Sequence, residues 1–209
     1  DMVRKAAVKG QFYPDDPEEL RTMLDEYMAA EEEQQEALGA LCPHAGYVFC
    51  GEIAGAVFGR IRIPETVIIL SPSHRAASPP LALWTDGPWE TPLGEVKIDE
   101  NATQALSKAP GVKADDSLHE GEHSGEVLLP FLQHRRPDVR IAVVCVTASA
   151  QLRTLQDFGK ALAEIIGEDA PEDTLVAASS DMSHERGPDA LETVKRNDPL
   201  AIEQMERLD

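Results

Sequence analysis

Three short segments of the chain are apolar at nearly every position, and they restrict its fold more than any other feature. They are residues 66–70, 141–146 and 175–178. A strand with one face in water alternates apolar and polar residues, so continuous runs of Val, Ile and Leu predict strands that are buried on both faces. Helical patterns lie between these runs. The sequence therefore predicts an α/β fold, in which helices cover both faces of a mostly parallel or mixed central sheet.

Local signals place the helices and the remaining strands. Asp16-Pro17-Glu18-Glu19 combines a cap residue, a proline at the first helical position and a capping-box glutamate, and predicts a helix toward Ala30. Pro130 is expected to interrupt a helix over 124–134, and Asp198-Pro199 to divide two terminal helical stretches. Further expected elements are helices over 51–60, 101–108 and 151–166, a strand over 37–42 and an antiparallel excursion over 81–84 and 96–98. No repeat or linker interrupts this order, so residues 1–209 are expected to form a single domain.

The charge of the chain limits its partners. Asp and Glu number 38 against 19 Lys and Arg, which gives a formal net charge of −19. Such a surface repels phosphate backbones and anionic lipid headgroups, so no nucleic-acid or membrane partner is expected. No apolar run in the sequence approaches the roughly 20 residues that cross a bilayer. Three cysteines are too few for a disulfide framework, which makes the cytoplasm the expected location.

A histidine follows three of the predicted strands. The strand over 37–42 leads to His44, the strand over 66–70 to His74, and the strand over 175–178 to Asp181 and His184. Ligands bind outside the carboxyl ends of strands in open α/β sheets, so these four side chains are expected to converge if the strands are parallel neighbours. Imidazoles with one carboxylate are typical ligands of a divalent transition metal, and a remaining histidine is suited to acid/base work. Taken singly, each residue also fits a plain loop or capping role.

A second histidine pattern competes with the first. His119-Glu120-Gly121-Glu122-His123 matches the H-E-x-x-H spelling of zinc proteases, in which two histidines lie four apart on one helix face. Gly121 is a weak helix former, and the apolar helical run starts only after Ser124. The pattern therefore favours a loop that leads into the following helix, with His123 and Glu126 facing the site.

At these residues the sequence resembles the Memo-like family, whose bacterial and archaeal members are called AmmeMemoRadiSam system protein B. Matching segments occur in the family's order over nearly the whole chain, and together they are far more specific than any one of them. They are Gly10-Gln11-Phe12-Tyr13-Pro14, Pro43-His44-Ala45-Gly46-Tyr47, Ser71-Pro72-Ser73-His74, Thr91-Pro92-Leu93-Gly94, Glu122-His123-Ser124 with Leu129-Pro130-Phe131-Leu132, and Ser179-Ser180-Asp181-Met182-Ser183-His184.

The resemblance implies a fold like that of the class III extradiol ring-cleaving dioxygenases, in which two histidines and a glutamate hold Fe(II). Memo proteins are similar, with two histidines and a cysteine as ligands and with iron(II) or copper as the metal. By motif, the implied metal ligands are His44 and His74, and the implied catalytic residues are His184, Asp181 and His123. The family's cysteine lies in a Cys-Gly motif nearer the C-terminus than this chain extends. The third ligand is therefore expected outside it, and the domain is expected to be incomplete at that end.

Two functions of different classes remain open at this point. The resemblance implies a metal-binding protein with iron- or copper-dependent redox or oxygenase chemistry on a small molecule or peptide, similar to a non-haem iron dioxygenase. The alternative is a non-catalytic module that binds a peptide or protein on the same scaffold. The family name also implies radical-SAM and AMMECR1-domain proteins as partners. Arg75 stands where relatives often carry a second histidine, which changes the polarity of the site.

Overall fold

A computed structural model describes residues 2–28, 34–75, 77–167, 173–183 and 186–207, and these contain a mixed, mostly parallel sheet of eight strands. The strands are β1 (Gly39–Cys42), β2 (Thr66–Pro72), β3 (Leu81–Leu83), β4 (Trp89–Thr91), β5 (Gly94–Ile98), β6 (Val112–Ala114), β7 (Arg140–Val146) and β8 (Thr174–Ser179). Their order across the sheet is β1-β8-β2-β7-β3-β6. β5 pairs in parallel with β7 and forms an antiparallel hairpin with β4, while β3 runs antiparallel to β7.

Helices cover both faces of the sheet, as the sequence predicted. They are α1 (Pro17–Tyr27), α2 (Tyr47–Arg60), α3 (Glu100–Leu106), α4 (Leu129–Arg135), α5 (Leu152–Ile166) and α6 (Ala190–Glu206). Side chains of α1, α2 and α4 form one core layer with Val67 and Ile69 of β2. Ile68, on the opposite face of the same strand, packs in a second layer with side chains of α3 and α5. The continuous apolar runs follow from this arrangement, because successive residues of a strand face opposite layers.

Two prolines do not act as the sequence predicted. Pro130 does not interrupt a helix but lies in the first turn of α4, where its missing N–H costs nothing. A short 3₁₀ turn, Glu126–Leu128, precedes it. Pro199 lies inside the single helix α6 instead of dividing two helices. The turns on either side are helical, and a proline in that setting removes one hydrogen bond without ending the helix.

The ends of α1 follow its sequence signals in part. The Asp16 side chain accepts hydrogen bonds from the amides of Glu18 and Glu19, which confirms it as the cap. The helix ends at Tyr27, and Ala30 lies outside the described residues. No helix within the described ranges combines the length and the apolar character that crossing a membrane requires.

The buried carboxylate of Glu126 holds the N-terminal segment against the middle of the chain. Glu126 has no exposed surface, and its oxygens accept hydrogen bonds from the Arg4 guanidinium (2.6 Å), the amides of Ala7 (2.8 Å) and Val8 (3.0 Å), and the Tyr13 hydroxyl (2.7 Å). A buried charge is tolerated only when it is fully paired, and these four donors meet that requirement.

Arg4 extends the same network. Arg4 is 2% exposed, and its guanidinium also donates to the carbonyl oxygens of His119 (2.8 Å) and Glu122 (2.6 Å). The guanidinium carbon lies 4.0 Å from the centre of the Trp89 ring, a cation–π contact. Residues 119–122 are therefore held by the N-terminal segment, although they belong to no helix or strand.

We expect Glu126→Gln to lower the free energy of unfolding by about 3 kcal/mol, because the Arg4 guanidinium would stay buried without its counter-charge. Urea unfolding of the metal-free protein measures this change. Glu90→Gln is the matched control, since Glu90 pairs with the more exposed Lys5 and Lys9, and its effect should stay below about 1 kcal/mol. Equal effects of the two substitutions would contradict the role assigned to Glu126.

Candidate metal centre

Three histidines from separate segments converge beyond the carboxyl ends of the central strands. His44 follows β1, His74 follows β2, and His123 lies in the loop before the Glu126–Leu128 turn. One ring nitrogen of each lies within 4.8 Å of the others, and the ring centres are 4.6 to 5.7 Å apart. The parallel register of β1 with β8 and of β8 with β2 brings the first two histidines to the same edge of the sheet. Three imidazoles at this spacing can hold one metal ion.

A serine sets the orientation and the tautomer of His44. Nδ1 of His44 lies 3.0 Å from the Ser179 hydroxyl, which donates its own proton to the Ser124 carbonyl oxygen (2.5 Å). The serine oxygen is then the acceptor, so the hydrogen-bond network assigns the ring proton of His44 to Nδ1 and leaves Nε2 with a free lone pair. The Asp181 carboxylate accepts from the His44 amide (3.2 Å), and its second oxygen lies 3.5 Å from Nε2.

Glu122 orients the ring of His74, as Ser179 orients the ring of His44. The Glu122 carboxylate lies 2.9 Å from Nδ1 of His74 and accepts hydrogen bonds from the amides of His74 (2.8 Å) and Ser124 (3.0 Å). The same carboxylate lies 3.4 Å from Nδ1 of His123. Burial alone would raise the pKa of Glu122, but these hydrogen bonds together lower it to about 2. A fixed anion therefore orients His74 with Nε2 free.

The site combines buried and open sides. Burial lowers the pKa of His44, against the opposing effect of Asp181, and burial likewise lowers the pKa of His123, against that of Glu122. Both rings are therefore neutral at pH 7, the form that donates a lone pair to a metal. The His74 side chain, by contrast, is 44% exposed and forms the side of the site that solvent reaches.

The zinc-protease interpretation of the second histidine pattern is wrong. A 3₁₀ turn, Asp116–Leu118, precedes His119, and no α-helix lies between the end of α3 at Leu106 and the start of α4 at Leu129, so His119 and His123 do not share a helix face. His119 is 1% exposed, and its Nε2 lies 3.1 Å from the Ala82 carbonyl oxygen. The expected loop is confirmed, and it separates a core histidine from a histidine of the metal centre.

Comparison with known proteins agrees with the resemblance seen in the sequence. A family model described as Memo-like protein matches residues 4–209. The chain belongs to the Memo-like protein family. A MEMO1 family protein of Aquifex aeolicus is 39% identical over 208 residues, which cover 99% of this chain and 75% of that protein. One of Methanopyrus kandleri is 38% identical, with coverages of 100% and 77%, and one of Thermococcus onnurineus is 37% identical, with coverages of 88% and 66%.

In this Memo-like protein, the structure brings together most of the site residues that the sequence predicted. His44 and His74 lie side by side, Asp181 lies against His44, and His123 joins them as a third nitrogen donor. His184 lies outside the described residues. The roles of these residues as metal ligands or catalysts stay predictions.

Two parts of the site differ from the expectation. Glu126, expected at the cavity, is fully buried and binds Arg4 and Tyr13 instead, because a carboxylate that close to a buried guanidinium pairs with it. Glu122 and Ser179 were expected only as parts of motifs, and their contacts to the histidine rings were not predicted. Glu122 stands next to His123 in the sequence, which was the one indication that it lies at the site. Its hydrogen-bond partner His74, however, lies 48 positions away in the chain.

His119 gives the metal-free protein a defined pH dependence. Burial lowers the pKa of His119 to about 4, although its hydrogen bond to the Ala82 carbonyl acts in the opposite direction. An unfolded imidazole has a pKa of about 6.5, so the unfolded chain takes up this proton first as the pH falls. The stabilisation is complete above about pH 6.5 and is lost toward pH 4, by about 3 kcal/mol over that range.

We expect His119→Gln to weaken this pH dependence, because the substituted side chain does not titrate. Urea unfolding at a series of pH values between 7 and 4.5, with a chelator present, gives the two profiles. His134→Gln, which removes a histidine that pairs with Asp25 near the surface, is the matched control and should stay closer to the wild-type profile. Parallel profiles for the wild type and His119→Gln would contradict the assignment.

Proposed function

We propose that this Memo-like protein binds iron(II) or copper through His44, His74 and His123 and carries out redox chemistry with that ion. The observation that carries the proposal is the convergence of three imidazole nitrogens within 4.8 Å of one another. Neutral imidazoles suit iron, copper, zinc and nickel alike, and the choice of iron or copper rests on the resemblance to the Memo-like family. Such an ion supplies one-electron chemistry that side chains alone do not provide.

The surrounding side chains support this proposal by what they do to the donors. Ser179 and Glu122 hold the rings of His44 and His74 through Nδ1, which leaves Nε2 of each for a metal. Burial keeps His44 and His123 neutral. Outer partners of this kind place the donors before the metal arrives, so little side-chain entropy is lost on binding.

Asp181 has a position suited to a second role. One of its oxygens lies 3.5 Å from Nε2 of His44, and its side chain is 25% exposed. We propose that this carboxylate either completes the ligand set or accepts a proton from a substrate group at the metal. The acid/base role that the resemblance implies for His184, three positions further along, belongs to the same proposal.

A non-catalytic binding module is the second candidate, and one surface favours it. Val48, Phe49 and Ile53 of α2 are 77%, 83% and 58% exposed, and they begin four residues after His44. Exposed apolar side chains that cluster on one helix are typical of protein or peptide contacts. In that case the histidines would not need a metal, which separates the two candidates by experiment. The radical-SAM and AMMECR1-domain partners implied by the family name stay predictions.

We expect the anaerobically purified protein to bind one equivalent of Fe(II) or Cu(I), measured by competition with a chromophoric chelator. We expect the metal affinity to fall by more than about a hundredfold in each of His44→Ala, His74→Ala and His123→Ala. The loss should exceed the one caused by removing a residue that only orients a ligand. His134→Ala is the control and should retain wild-type affinity, because His134 pairs with Asp25 away from the site. If neither ion binds, or if all three substitutions leave the affinity unchanged, the metal proposal fails and the binding module is favoured.

We expect Glu122→Gln to lower the metal affinity by about 10- to 100-fold without removing a ligand, because the His74 ring would lose its anionic partner. Glu120→Gln is the matched control, since Glu120 is exposed in the same loop. Urea unfolding of both variants shows whether they are folded under the conditions of the metal titration. Wild-type affinity in a folded Glu122→Gln protein would show that Glu122 does not orient the metal-binding ring.

A further inference from the structure

Arg75 places a positive charge at the rim of the candidate metal centre. Arg75 follows His74 directly in the chain, and its guanidinium packs on Gly121 in the opposite loop. A Cβ atom at Gly121 would lie 2.5 Å from Nη1 and 3.1 Å from Cζ of Arg75. Gly121 in turn precedes Glu122 and lies two residues before His123. The guanidinium is therefore held between the two segments that carry two of the three histidines.

The guanidinium of Arg75 forms no hydrogen bond or ion pair with any of the described residues. Only the backbone amide of Arg75 forms a hydrogen bond there, to the Ser73 hydroxyl at 3.4 Å. Arginines elsewhere on the protein surface pair with carboxylates, as Arg62 does with Glu36 and Arg140 with Glu65. The chain has 38 acidic and 19 basic residues, so most arginines can find a carboxylate. An arginine beside the site that pairs with none of the described carboxylates is available to bind a ligand.

We propose that Arg75 binds a carboxylate group of the substrate, whose other end faces the three histidines. The guanidinium offers a planar fork of N–H donors that matches the two oxygens of a carboxylate. Consecutive Cα atoms are only about 3.8 Å apart, so one small molecule can reach from His74 to its neighbour. This inference rests on the proposed metal-binding function and names the substrate class of that site as small metal-coordinating carboxylic acids.

The charges around the site favour a carboxylate over a phosphate. The Glu122 carboxylate contacts the His74 ring and accepts hydrogen bonds from two backbone amides, and the Asp181 carboxylate lies against His44. The chain as a whole carries a formal charge of −19. A dianion would be repelled by these charges about twice as strongly as a monoanion, and a single guanidinium balances a single negative charge.

Gly121 provides a way to move the guanidinium without removing it. The backbone of Gly121 does not have a positive φ, so alanine is compatible with its conformation. The three atoms nearest to the added methyl group all belong to the end of the flexible Arg75 side chain, which can turn away. Gly121→Ala therefore displaces the charge while it keeps the net charge of the protein.

Two hydroxamates test the inference on the metal-loaded protein. Acetohydroxamate and succinic acid monohydroxamate share the metal-binding group, and only the second carries a carboxylate. We expect the wild type to bind the second about tenfold more tightly, as a partly solvated charge-assisted pair would give. Arg75→Ala should abolish this preference and leave acetohydroxamate binding unchanged, Arg75→Lys should keep part of it, and Gly121→Ala should reduce it. Arg153→Ala, at an exposed arginine of α5, is the control and should keep the full preference.

The outcomes separate this inference from the metal proposal. A metal-loaded wild type without a preference for the carboxylate, or an Arg75→Ala protein that retains it, overturns the inference and leaves the metal site standing. An equal loss of both hydroxamates in Arg75→Ala also overturns it, because Arg75 would then support the metal centre itself. A wild type that binds no metal overturns both proposals.

Discussion

The position of the candidate metal centre depends on one buried ion pair, between Arg4 and Glu126. Glu126 has no exposed surface, and it draws the guanidinium, two backbone amides and the Tyr13 hydroxyl of the N-terminal segment onto the middle of the chain. Arg4 also binds the carbonyl oxygen of Glu122, next to His123. Because a buried charge requires complete pairing, this network restrains the loop before Glu126. A loop without helix or strand can therefore hold a histidine in place.

The sheet supplies the other half of the site. Parallel pairing of β1 with β8 and of β8 with β2 brings His44, Asp181 and His74 to one edge. Glu122 then joins the two halves, since its carboxylate contacts both His74 and His123. The site is thus built from a rigid sheet edge and a loop fixed by burial, and each half contributes polar partners that orient the donor rings.

The distribution of charge separates the surface of the protein from its site. Many of the described acidic residues, such as Glu18, Glu36 and Glu203, are exposed on the surface, where like charges repel one another and oppose self-association. Within the described ranges, two carboxylates lie close to the rings, Glu122 and Asp181, each in contact with an imidazole. Arg75 adds a local positive charge to this small group. The net charge of the chain therefore does not predict which charges lie next to the histidines.

The sequence by itself determined the α/β class, because continuous apolar runs require a sheet covered on both faces, and it predicted that His44 and His74 would meet, because each follows a predicted strand. The sequence placed His123 at the site by motif, and the tertiary structure decided how its loop brings His123 to the other two histidines and buries His119. That arrangement depends on Glu122 meeting His74 and on Arg4 meeting Glu126, 122 positions away. Such contacts follow from how the whole chain packs, and neither local propensity nor spacing encodes them.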